Sequence, residues 1–201
     1  MSTAPLEPLR FTPIATEDLT PEQQAVMNLY RSGWQAQLTD LPKHHWMTLR
    51  SPKFAAVVTP VSNYFRNESS LPARLNEFAI LLTARHMESQ FEWGLHSKWA
   101  VRDGVSPAVV DALPRGGKPA GLQADEDIVH DFVTELLTTK RVSTAAFQRA
   151  KTLLSDQQYS DLVCVVGYYT MVSMEIAAAG VDLPDWADTV AAAKARAEDF
   201  G

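Results

Sequence analysis

The sequence predicts an all-helical fold, and three observations carry that expectation. First, a hydroxyl residue followed by proline recurs as a helix-start signal, at Thr20-Pro21, Ser51-Pro52 and Ser106-Pro107; the first residue suits an N-cap and proline is pre-organised for the first turn. Second, Leu75, Phe78, Ala79 and Leu82 fall at i, i+3, i+4, i+7, one face of a 3.6-residue period. Third, no sustained two-residue alternation is bounded by hairpin turns, so nothing requires a strand.

Taken in order, Thr20-Pro21-Glu22 opens a helix expected to reach about Arg31, and Ser51-Pro52 introduces another over Phe54 to Phe65. The apolar face through Leu75 marks a third. Asp103-Gly104 reads as a helix end, because glycine tolerates the left-handed geometry there. Ser106-Pro107 precedes a short helix at Val109-Val110. Ile128, Phe132 and Leu136, with Val129, Val133 and Leu137 beside them, mark a further one. The first ~17 residues, Ser32–Arg50 and Pro114–Leu122 are expected to be non-helical. Pro114 to Pro119 reads as a linker between two helical halves. At 201 residues the chain is expected to form a single domain, 1–201, with Met1–Thr16 as an extended N-terminal arm.

Composition narrows the function classes. Lys and Arg number 18 against 24 Asp and Glu, a formal charge of −6. No basic run occurs, so nucleic acid is not an expected partner. The N-terminus lacks a basic region followed by an apolar stretch and does not read as a signal peptide. The lone cysteine, Cys164, lies in the apolar run Leu162 to Val166 and is expected to be a small core residue. Leu162–Ala179 approaches the length of a membrane span. It contains Thr170, Ser173 and Glu175 and lacks flanking Lys or Arg, so it reads as a core or subunit-contact helix. No membrane partner is expected, and the location expected is cytoplasmic.

The richest segment runs from Leu71 to Leu113. Glu77 lies 19 positions before His96, Phe91-Glu92-Trp93 leads to His96, and Gly104-Val105-Ser106 follows. In these features the chain resembles the carboxymuconolactone decarboxylase family and its relative alkylhydroperoxidase D. A later block, Val142-Ser143 through Phe147 and Leu162 to Tyr169, then Met171 and Gly180-Val181, is similar to the family's later helical hairpin. The resemblance covers roughly residues 10–185. It implies a compact alkylhydroperoxidase-D-like domain and a trimeric or hexameric homo-oligomer. The peroxidase branch carries Cys-x-x-Cys-x-x-x-His in this register, where this chain has Ser89 and Glu92 ahead of His96. Without two thiols there is no disulfide cycle, so a thiol peroxidase is not expected.

Glu88, Glu92 and His96 are spaced by four and would share a face of one continuous helix. A carboxylate one turn from an imidazole can orient it, fix its tautomer and raise its pKa, which suits general acid–base work near neutral pH. His96 is the candidate proton carrier, Glu92 its orienting partner, and Glu77 would complete a relay from the preceding helix. Arg85 and Arg50 are candidates to grip a substrate carboxylate. Trp93, Tyr168 and Tyr169 could line a pocket for a flat unsaturated ring. Each assignment has a local alternative: Ser89-x-x-Glu92 fits a capping box, which would leave Glu88 in solvent, Arg85 can complement a helix end, and Trp93 can be core.

Glu92 and His96 have ligand spacing and His86, His44 and His45 supply other nitrogens, but nothing fixes a third ligand and no His-Glu-x-x-His string exists, so no metal site is expected. No glycine-rich phosphate loop is present, and no cofactor is expected. The resemblance implies a cofactor-free lyase of the decarboxylase type, acting on a small unsaturated carboxylic acid or lactone, as in aromatic-compound catabolism. An isomerase, hydratase or lactone-opening enzyme could use the same His–Glu group. A non-catalytic oligomeric binding or scaffold protein is the contrasting expectation, told apart by whether His96 meets a cavity. For an enzyme, His96→Ala is expected to abolish turnover with thermal stability nearly unchanged.

Overall fold

The structure, a computed structural model, describes residues 9–33, 36 and 41–181. Residues 1–8 of the expected arm and residues 34, 35 and 37–40 of the expected Ser32–Arg50 loop lie outside the described residues. Among those described there are nine α-helices and no strand: α1 Pro21–Ser32, α2 His45–Thr48, α3 Pro52–Asn67, α4 Ala73–His86, α5 Gln90–Arg102, α6 Pro107–Ala112, α7 Ala124–Thr139, α8 Thr144–Lys151 and α9 Asp156–Ala179.

The helices form two compact units. One comprises residues 9–69 and 175–181, the other Ser70–Met174. In the first, α1 and α2 pack on α3. Thr20 caps α1 as expected: its hydroxyl accepts from the Gln23 amide at 3.2 Å, and its own amide donates to Gln23 Oε1 at 3.0 Å. Val26, Met27, Tyr30, Leu49 and Ala55 form the core here. Two departures occur. A short helix, α2, interrupts the expected 32–50 loop. The Ser51 and Ser106 hydroxyls make no capping bond, so the following prolines, not the serines, mark those helix starts. Of the expected arm, residues 9–16 are described. Arg10 ties this segment to the end of α9, its amide donating to the Ala179 carbonyl at 3.1 Å.

In the second unit α4 is central, packed on α5 and α7. Every residue from Leu75 to Ala84 is buried, more than the single face the period predicts, because neighbours cover α4 on several sides. On α7, Val129, Phe132, Val133 and Leu137 are buried, while Ile128 and Leu136 are partly covered. Residues 114–119 do not separate two halves: Leu113 and Pro114 are buried, and the helices on both sides belong to the same unit.

α9 is long and apolar enough to cross a membrane by length and composition alone. Leu162, Val165, Val166, Val172 and Ile176 are buried against the protein. Its opposite side is open: Cys164 is exposed, correcting its expected place in the core, and Met174 is 57% exposed. At 3.6 residues per turn, residue 164 falls on the face opposite its buried neighbours 162, 165 and 166.

Candidate active site: a buried histidine between two glutamates

The chain reverses between α4 and α5 over three residues. Met87 continues the helical geometry, and Glu88 takes φ 53, the left-handed region uncommon outside glycine. Ser89 then starts α5, its amide donating to the Ala84 carbonyl at 2.9 Å. Glu88 is thus outside the helix and exposed, so the face shared by Glu88, Glu92 and His96 does not form. The capping box fails as well. The Ser89 hydroxyl makes no cap bond and is buried with no hydrogen-bond partner, leaving Glu92 to turn to His96.

This reversal sets Glu77 of α4 against His96 of α5. The imidazole Nδ1 and Glu77 Oε2 are 2.6 Å apart, and Nε2 lies 3.2 Å from Glu92 Oε2. All three residues are buried, His96 and Glu77 at 2% exposure and Glu92 at 3%. Burial, the largest single influence on the His96 pKa, pulls it down; the Glu77 charge and hydrogen bond, with Glu92 adding to them, outweigh it and hold the pKa above its ordinary value. A protonated imidazole donates from both nitrogens, so the carboxylates favour the imidazolium. Glu77 makes the shorter contact and is the orienting carboxylate in this geometry. Glu92 makes the longer contact, at the second nitrogen.

Two rings cover the imidazole. Trp99 and Tyr169 each stand edge-to-face to His96 with centroids 4.9 Å apart, and both rings are only partly buried. Tyr168 packs on Tyr169 at 5.3 Å and is one ring further away. Trp99 was not singled out in the sequence, although its i+3 spacing from His96 on α5 signals the contact.

The remaining candidates lie elsewhere. Trp93 is among the largest fully buried side chains, a core residue. Arg50 belongs to the other unit, where it donates to the Trp46 and Thr12 carbonyls at 2.5 and 3.0 Å and stands over the Phe11 ring. Arg85 faces a cavity of about 210 Å³ between α4, α7 and the 113–118 turn, whose lining contains none of Glu77, Glu92 and His96. Among the described residues no group of three His, Cys, Asp or Glu has the arrangement of a metal site.

A second buried polar group occupies the smaller unit. Tyr30 and His45 meet at 3.4 Å between hydroxyl and Nδ1, and the His44 ring lies tilted against His45 with centroids 4.2 Å apart. Burial raises Tyr30 to about 12, and it raises Glu175, which contacts Thr48, to about 7.

No family model matches the chain, and no curated protein does. Two solved structures share its architecture: the debrominase Bmp8 in its apo form, and a cysteine-to-alanine variant of that debrominase in complex with 2,3,4-tribromopyrrole. Their TM-scores are 0.68 and 0.69, each at 15% identity over 95% of this chain and 97% of the other. The chain shares the all-helical fold of these structures. At that identity the likeness speaks to architecture, and chemistry has to be argued from the site.

Proposed function

We propose that the protein is a cofactor-free acid–base enzyme, a lyase of the decarboxylase type acting on a small unsaturated carboxylic acid or lactone. The observation that carries this reading is the His96 imidazole held between Glu77 and Glu92 in a buried centre. The likeness to a small-molecule debrominase supports an enzymatic role.

In this reading the substrate loses its carboxylate as carbon dioxide, and the electron pair of the broken bond is left as a dienolate. His96 donates its Nε2 proton to carbon, with Glu77 holding Nδ1–H and the ring orientation. The substrate carbon displaces Glu92 from Nε2, the looser of the two contacts. Solvent then restores the proton. Fully ionised, one imidazolium and two carboxylates carry one net negative charge, so the substrate's retained acidic groups have to lie away from the glutamates.

The test is incubation of unsaturated lactones and diacids in D2O, reading carbon dioxide release and the position of deuterium in the product. Decarboxylation with one deuterium at the former carboxyl-bearing position or its vinylogue supports the lyase. Deuterium without carbon dioxide, or added water, moves the assignment to an isomerase, hydratase or lactone-opening enzyme with the same proton donor. The closure of the centre, at 2–3% exposure, favours one contrasting reading, an oligomeric binding or scaffold protein. No turnover on any substrate would select it.

Burial also changes what His96→Ala reports. It leaves two carboxylates facing each other out of water, and breaking a buried pair costs about 3–5 kcal/mol. His96→Ala is therefore expected to lower stability whether or not the centre is catalytic, and loss of stability does not separate the two readings.

We further propose a homo-oligomer, trimer or hexamer, with the open side of α9 at a subunit contact, and a cytoplasmic location. Cys164 and Met174 make that side apolar.

A further inference from the structure

The cavity beside Arg85 has a composition at odds with the chain that builds it. The protein carries a formal charge of −6, yet the cavity is lined by Arg85, His86, Lys118 and His130 and by no aspartate or glutamate. Leu82, Leu113 and Leu137 supply an apolar wall. These residues come from α4, from the 113–118 turn and from α7, so only the packing of α4 on α7 brings them together.

The basic residues have different jobs. Lys118 is held by Asp127 at 2.5 Å and Asp131 at 2.8 Å, and Arg149 shares both carboxylates from the other side. Asp131 also lies 3.2 Å from His130 Nδ1. That network fixes one rim. Arg85 lines the cavity from the end of α4. A Cβ added to Gly116 would come within 3.2 Å of Arg85 Nη2, and Gly116 and Gly117 have φ of +77 and +73. The turn thus passes close to the guanidinium with no side chain between. Burial first, then the positive charges of Lys140 and Arg85, hold the His86 pKa below its ordinary value. Complementing the end of α4 accounts for one basic residue. It does not account for basic residues from three segments facing one cavity.

We propose that this cavity is a binding site for a small amphipathic monocarboxylate, its carboxylate on Arg85 and its body against Leu82, Leu113 and Leu137. A guanidinium fork matches a carboxylate in two parallel hydrogen bonds. At about 210 Å³ the space is below the roughly 300–1,000 Å³ of drug-sized pockets, which limits the body to one ring or a short chain. The site shares no lining residue with the His96 centre and does not depend on its chemistry.

The experiment is a two-dimensional amide NMR titration of the full chain with benzoate, and with benzamide as the uncharged counterpart. Expected are saturable shifts at Gly116, Gly117 and Thr138 at millimolar or lower benzoate, with benzamide at least about tenfold weaker. Arg85→Gln weakens benzoate about tenfold or more, and Thr134→Trp, at an exposed position on the rim, blocks it. Equal affinity for benzoate and benzamide, shifts confined to Trp99 and Tyr169, or binding indifferent to Thr134→Trp overturns the proposal. Should Arg85→Gln not fold, the benzamide comparison and Thr134→Trp decide. Benzoate binding that persists in His96→Gln separates this site from the proposed reaction.

Discussion

Replacing Glu77 by Gln removes a charge from the His96 centre while keeping an oxygen that can accept from Nδ1–H. The contact is 2.6 Å between two residues that are each 2% exposed. A charge-assisted hydrogen bond is worth about 1.5–3 kcal/mol, roughly twice a neutral one, so losing the charge alone costs about 1–1.5 kcal/mol. The cost depends on pH. His96 has its folded pKa raised, so its stabilisation is fully present below the unfolded value near 6.5 and is lost as pH rises through the folded pKa. In Glu77→Gln, burial pulls the pKa down with Glu92 alone opposing. The stability gap between the two proteins is therefore expected to be widest in mild acid and to narrow above neutrality. Urea unfolding at several pH values measures the gap, and the His96 Cε1–H resonance measures the pKa. An unchanged or higher His96 pKa, or a gap flat in pH, would refute the idea that Glu77 holds the imidazolium.

Glu92→Gln should lower the His96 pKa too, with a stability loss under about 1 kcal/mol because its contact is longer at 3.2 Å; an NMR titration of both variants ranks them. Glu175 has its pKa raised to about 7, so its contribution to stability is present below its unfolded value near 4.5 and declines as pH rises through 7. Glu175→Gln should remove that decline and, after screening of a half-buried group, gain about 1 kcal/mol at alkaline pH, read by thermal melts across pH. Glu88→Gly relieves a left-handed φ of 53 and should raise stability by up to about 1 kcal/mol; chemical denaturation checks it. Cys164, exposed on the chain alone, should react rapidly with a thiol reagent in dilute monomer. It should become protected at concentrations where sedimentation shows an oligomer built through α9.

The helices were legible wherever burial writes a period into the sequence. Leu75, Phe78, Ala79 and Leu82 disclose α4, and Thr20 with Gln23 discloses the start of α1. α2 left no such trace, since four residues make barely one turn. Glu92 and His96 were legible because four residues along a helix is a local distance. Glu77 was placed by resemblance, and its contact with His96 depends on a chain reversal that spacing does not encode. Cys164 was misjudged because an apolar run looks the same whether one side of the helix is open or both are covered. Arg85 was expected to grip a substrate carboxylate beside His96, but it lines a separate cavity, whose other basic residues His86, Lys118 and His130 converge only through the packing of α4 on α7.

The reversal at Glu88 has a consequence for what this protein can tolerate. Glu77 and His96 meet because two helices leave a three-residue turn in a particular rotational phase. Each residue added to or removed from the interval between them turns one helix by about 100° and slides it by about 1.5 Å relative to the other. A single insertion there would point His96 away from Glu77 while leaving every side chain of the centre chemically intact. Substitutions around the turn change energies by degrees, whereas a change of length dismantles the centre at once.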